Sequence, residues 1–185
     1  MTVTVSPTEF KFVFFDAARI AAVAEEVMGL LGLTDDLVIE VDETTPVSRV
    51  ILTEGSPLHI KAESGAFEDQ RRPRHQSDAT AQLALCRVLL RLKDRREGGF
   101  AEAPAEGELT LPQVAAWDSY VLGRLGRLGL PVHEQRWRYN FRNRHGFNDG
   151  ADASFDQLFG SDHLSWGAVS AISEQARAAV TDAKA

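Results

Sequence analysis

Ten residues, Arg136 to His145, combine four arginines with three aromatic side chains. Arg136, Arg138, Arg142 and Arg144 hold even positions, and Trp137, Tyr139 and Phe141 hold odd ones. Successive side chains of a β-strand point to opposite faces, and next-but-one residues lie about 7 Å apart. The run therefore reads as a strand with a guanidinium face and an aromatic face. A guanidinium is a planar fork that takes carboxylate or phosphate in two parallel hydrogen bonds. The chemistry expected is recognition of an acidic protein surface or a small anion. The competing reading sends the aromatics into the core and pairs the arginines with acids of the same chain, at an edge strand protected by charge. A homodimer contact is a further use for such a strand.

A second basic group, Arg71, Arg72, Arg74 and His75, precedes a helical pattern. Free amides at a helix N-terminus already favour an anion. Arg87, Arg91 and Arg95 follow at i, i+4 and i+8, on one helical face. These residues read either as an extension of the anion surface or as a solvated helix face.

Other chemistries find less support. The histidines His59, His75, His133, His145 and His163 form no close pair of the kind zinc needs. His133-Glu134 begins like a His-Glu-x-x-His motif, but position 137 is Trp. A dispersed set such as His145 with Asp149 and Asp152 is the remaining metal arrangement, and the acidic turn 148–156 lacks the order of a calcium loop. Cys86 lies in the apolar run Leu83 to Val88 and reads as a small buried hydrophobe. No nucleophile elbow, phosphate loop or dinucleotide fingerprint is present. Glu40, Asp42 and Glu43 could pair carboxylates, a common and unspecific feature. The leading expectation is a non-enzymatic binding or assembly protein with no cofactor and no bound metal. The rival is a hydrolase-like enzyme with a dispersed site, in which His133 or His145 works with a carboxylate and an arginine clamp.

The elements that must position these residues follow from periodicity. Phe10 to Phe15 is aromatic and β-branched, as strands are, and Asp16 can cap the helix 17–31, which Gly32 ends. Strands are expected at 37–41, 50–53 and 58–62, with Glu54-Gly55-Ser56-Pro57 as the turn between the last two. Residues 66–76 read as a loop. Ser77 caps a helix to about Arg96, and 97–108 is a flexible acidic loop. Thr110 to Gln113 has the form of a capping box for a helix to about Leu128. A short helical piece at 154–159 leads to a last helix near 162–180, and a tail at 181–185 that frays. The expected fold is a single α+β domain: a mixed or antiparallel sheet of about four to five strands against four main helices.

The chain has 185 residues and a net charge of −7, which argues against general nucleic-acid affinity. The charge is blocked: residues 1–70 carry 4 basic and 13 acidic residues, 71–96 carry 8 and 2, and 124–145 carry 6 and 1. If the basic blocks meet in space, they form one positive face. No apolar run is long enough to span a membrane, no signal peptide is apparent, and one cysteine excludes an intrachain disulfide. These features favour the cytoplasm.

The order helix, three strands, long helix, helix over roughly residues 17–128 resembles the core of zincin-type metallopeptidases. In that family the long helix carries zinc histidines and a catalytic glutamate. Its counterpart here reads Ala81-Gln82-Leu83-Ala84-Leu85, so the resemblance implies at most a catalytically inactive relative.

Overall fold

The computed structural model describes residues 1–182, with side chains through Ala178. The chain is α+β, with six helices, a four-stranded mixed sheet and a two-stranded antiparallel sheet. It forms two compact units, Met1–Leu92 and Lys93–Ala185, and the division falls inside a helix rather than at a linker. The tail expected to fray lies outside the described residues, apart from 181 and 182 at the end of the last helix.

The first unit is built on strands β1 (Val3–Ser6), β2 (Leu37–Asp42), β3 (Val50–Thr53) and β4 (Leu58–Glu63), in the order β1-β2-β4-β3. β1 and β4 run parallel to β2, and β3 closes the edge antiparallel to β4. Burial alternates along the two central strands. Leu37, Ile39 and Val41 pair in register with Leu58, Ile60 and Ala62 on the buried face, while Glu40 lies beside Lys61 on the other. Helix α1 (Ala17–Leu31) connects β1 to β2 and buries Ile20, Val23, Ala24, Val27, Met28 and Leu31. Burying a side chain of this size contributes about 1.5–3 kcal/mol. Asp16 caps its first amides, and Gly32, at φ 67°, ends it in the left-handed conformation that glycine adopts without strain.

Two expectations fail here. The first strand is Val3–Ser6, and Phe10–Phe15 is not a strand. The position beside β2 belongs to the β-branched Val3-Thr4-Val5 segment, and the Lys11 and Phe12 amides donate to the Glu43 carboxylate at 2.7 and 2.6 Å instead of to a ladder. Phe12 and Phe14 are consequently exposed. Residues 66–76 are not a simple loop either. After a single 3-10 turn at Ser64–Ala66 they form a hairpin of β5 (Glu68–Asp69) and β6 (Arg72–Gln76).

Helix α2 (Asp78–Arg96) crosses the division between units, with Ser77 accepting from the Thr80 amide as a cap. The second unit continues with α3 (Leu111–Arg127), α4 (Glu134–His145), α5 (Asp149–Gly160) and α6 (Trp166–Asp182). The expected capping box opens α3: Thr110 and Gln113 each accept from the other's backbone amide. Residues 97–108 form neither helix nor strand, yet Phe100 and Ala103 are buried. Phe100 stacks on Trp117 at 4.8 Å and Tyr120 at 5.8 Å, and Trp166 closes the aromatic cluster 5.4 Å from Trp117.

Polar groups thread this core and are joined by hydrogen bonds, although the Arg124 Nε is buried without a partner. Asp94 is buried and takes the Trp117 indole N–H at 3.0 Å and an Arg124 guanidinium N–H at 2.7 Å. The Arg124 guanidinium lies 4.3 Å over the Tyr120 ring, whose hydroxyl donates to the Asp162 carbonyl at 2.8 Å. Gly123 lets α3 meet α5 backbone to backbone: a Cβ there would fall 1.9 Å from the Phe159 carbonyl oxygen.

Two substitutions test this packing. Asp94→Ala strands a partly buried guanidinium and a buried indole N–H, so urea unfolding should register a loss of about 2–4 kcal/mol. Gly123→Ala must push α5 away, and a loss of about 1–3 kcal/mol is expected. A wild-type urea midpoint for either variant contradicts the packing described.

Candidate functional site

The segment Arg136–His145 is a helix, not a strand, and this is the largest correction to the sequence reading. No β-branched residue occurs between Glu134 and His145. Glu134 sits in the first turn and Arg142, Arg144 and His145 in the last, which suits the helix dipole. Gly146, at φ 106°, ends it. The even-odd split therefore has no structural meaning, and the 3.6-residue period sorts the arginines instead.

Arg138 and Arg142 turn toward α5. Arg142 grips Asp152 with two parallel hydrogen bonds, Nε to Oδ1 at 2.7 Å and NH2 to Oδ2 at 2.6 Å. Arg138 bonds Glu134 at 2.7 Å, pairs with Asp156, and lies 4.5 Å over the Phe155 ring. Hydrogen bonding by Arg142 holds the Asp152 carboxyl below its ordinary pKa, and Asp156 raises that of Arg138. Both forks are thus taken by carboxylates of the same unit. Arg136 and Arg144 are exposed on the opposite side of α4 and form no ion pair among the described residues.

His145 does not meet Asp149 or Asp152. It is 1% exposed, stacked 3.8 Å from Phe141, with Nδ1 3.1 Å from the Phe141 carbonyl and Nε2 2.8 Å from Ser173 Oγ. The carbonyl can only accept, so Nδ1 carries the proton and Nε2 accepts from the serine hydroxyl. Burial lowers the imidazole pKa, the Phe141 hydrogen bond opposes this, and the Arg177 charge lowers it further. The spacing resembles a serine–histidine dyad, but Ser173 is itself 2% exposed. His133 is exposed at the N-terminal end of α4. Cys86 is buried and its thiol is pushed up to about 12. Among the described residues no group of three or more His, Cys, Asp or Glu is placed to hold a metal ion.

In the first unit the basic hairpin stays open. Arg71, Arg72 and Arg74 are exposed and form no ion pair among the described residues. Their neighbouring acids serve the backbone: Asp69 accepts from the Arg71 amide at 2.8 Å, and Glu68 from the Arg74 amide at 3.0 Å. The Arg74 carbonyl accepts from the Phe14 amide at 2.7 Å, which holds Arg74 at φ 66°. A left-handed arginine costs about 1–2 kcal/mol and persists where its surroundings fix it. His75 stacks on Phe14, with centroids 4.7 Å apart and planes at 17°. The start of α2 is not an open anion site, because Ser77 caps it and Asp78 is paired with Arg19 at 2.6 Å.

The arginine row on α2 does not form a surface. Arg91 is buried, Arg87 is engaged, and Arg95 donates to the Ala103 and Pro104 carbonyls and to Glu106. The two basic groups that remain open lie in different units. No helix among the described residues is long and apolar enough to cross a membrane. No family model, curated protein or solved structure matches this chain significantly.

The buried imidazole makes a pH prediction. Its ordinary pKa is 6.5 and its folded value is lower. The stability it supports is therefore complete above 6.5 and is lost as pH falls through the folded value. Melting of the wild type should drop between about pH 7.5 and about pH 5, and His145→Gln, which cannot protonate, should show a shallower drop. Parallel slopes for the two proteins would count against a neutral buried His145.

Proposed function

We propose that this chain is a non-enzymatic binding protein whose β5–β6 hairpin takes an acidic partner or a small anion. The observation that carries the reading is the disposition of charge on the hairpin. Three guanidiniums, Arg71, Arg72 and Arg74, face solvent without ion pairs among the described residues, while Asp69 accepts from a backbone amide and Glu68 from a backbone amide and the Ser64 hydroxyl. The carboxylates thereby fix the hairpin without occupying the forks. Surface charge normally mixes both signs, and arginine binds carboxylate or phosphate better than a point charge does because its donors are preset in a plane. The left-handed Arg74 supports the reading, since backbone strain of this kind is concentrated at binding sites.

The test uses the full chain, a poly-glutamate peptide and inorganic phosphate, followed by calorimetry at low and high salt. Arg71→Ala with Arg72→Ala and Arg74→Gly removes all three forks, and glycine keeps the positive φ without strain. Affinity should fall at least about tenfold, and wild-type binding should weaken as salt rises. Equal affinity in wild type and variant, or no binding by either probe, would end this reading.

A further inference from the structure

The solvent side of α4 carries arginines that form no ion pair among the described residues, although Arg136 lies 5.9 Å over the Trp137 ring. With about 3.6 residues per turn, Arg136, Tyr139, Asn140 and Asn143 point away from Phe141 and His145, the two residues the helix buries, and Arg144 lies on the exposed flank across from Arg138 and Arg142. Tyr139 is 59% exposed and Phe147, just past the helix, is 62% exposed. Their rings meet edge to face at 5.6 Å and 69°, so they form one apolar patch. Arg136 and Arg144 stand eight positions apart, roughly 12 Å along the helix axis.

We infer that this face docks an acidic polypeptide segment, in which two carboxylates about two helical turns apart meet Arg136 and Arg144 and an apolar side chain between them covers the Tyr139–Phe147 pair. Charge selects the occupant. The face holds two arginines without ion pairs among the described residues, and no carboxylate. Two copies of it brought together would set guanidinium against guanidinium, which disfavours a symmetric dimer here. An anionic membrane surface is read by clusters of about 4–8 basic residues, more than this face offers. Exposed aromatics flanked by arginine are instead the composition of protein interfaces. The helix is also set in advance, because Arg138 and Arg142 clamp its other side to Asp152 and Asp156, and a preformed surface loses less entropy on binding. The inference stands on different residues from the hairpin reading.

The experiment follows fluorescence anisotropy of a labelled helical peptide bearing two glutamates eight positions apart with a leucine midway, added to the full chain. Wild type should bind it. Arg136→Ala with Arg144→Ala, and Tyr139→Ala alone, should each weaken binding about tenfold while leaving the melting temperature unchanged, because all three side chains are exposed. The peptide with glutamines in place of the glutamates should bind equally poorly to all forms, and Arg71→Ala with Arg72→Ala should bind the glutamate peptide as wild type does. The proposal is overturned if the peptide does not bind, or if its binding follows Arg71 and Arg72 instead. It is also overturned if the α4 substitutions act only on binding to phosphatidylserine vesicles or a single-stranded oligonucleotide, or on self-association measured by sedimentation.

Discussion

A guanidinium stays charged at every accessible pH, so an arginine drawn out of water has to be met where it lies. That constraint organises the second unit. Arg124 enters among the aromatics only because Asp94 waits there, and Asp94 is held by the Trp117 indole at the same time. Arg127 reaches the end of α5 and donates to the Phe159 and Ser161 carbonyls and to Asp162, satisfying oxygens that the helix itself leaves open. Arg95 ties the irregular segment after α2 to the same core through the Ala103 and Pro104 carbonyls. With those cations removed the aromatic cluster would keep its area and lose the contacts that fix its register.

The same constraint gives α4 two unlike sides. Its inner side spends Arg138 and Arg142 on the acids of α5 and places His145, neutral and hydrogen-bonded, against Phe141 and Ser173. A buried imidazole with both nitrogens satisfied is a sound structural element, and it becomes a liability only when acid forces a proton onto it. The outer side keeps its arginines and aromatics in water. One helix thus shows how residue type alone does not assign role: four arginines within nine positions divide evenly between internal ion pairs and open surface.

In the first unit carboxylates do backbone work. Asp16 caps α1, Glu43 receives two amides of the segment that would otherwise need a strand partner, and Glu68 and Asp69 hold the hairpin. The acidic excess of the first 70 residues is therefore not simply a counter-charge to the basic block that follows. Three of those carboxylates, Glu43, Glu68 and Asp69, take backbone amides instead of arginines, and Arg71, Arg72 and Arg74 stay in solvent.

Local pattern determined a good deal. Helix α1 was legible end to end from its apolar period, Asp16 and Gly32, as were the central strands from their apolar runs and the turn at 54–57, and the start of α3 from its capping box. The candidate site was legible in composition and not in geometry. A run rich in arginine and aromatics has no strong period of its own: spacing by two and spacing by four both place an aromatic near an arginine. What decided for helix was Phe141 and His145, four apart, entering the same core while Glu134 reached Arg138. Which arginines would find acids was likewise beyond the sequence, because Asp152 and Asp156 belong to another helix. Neighbours along the chain set the backbone's local preference, but the partner of each charge depends on which elements pack together, and that is settled only when the tertiary fold forms.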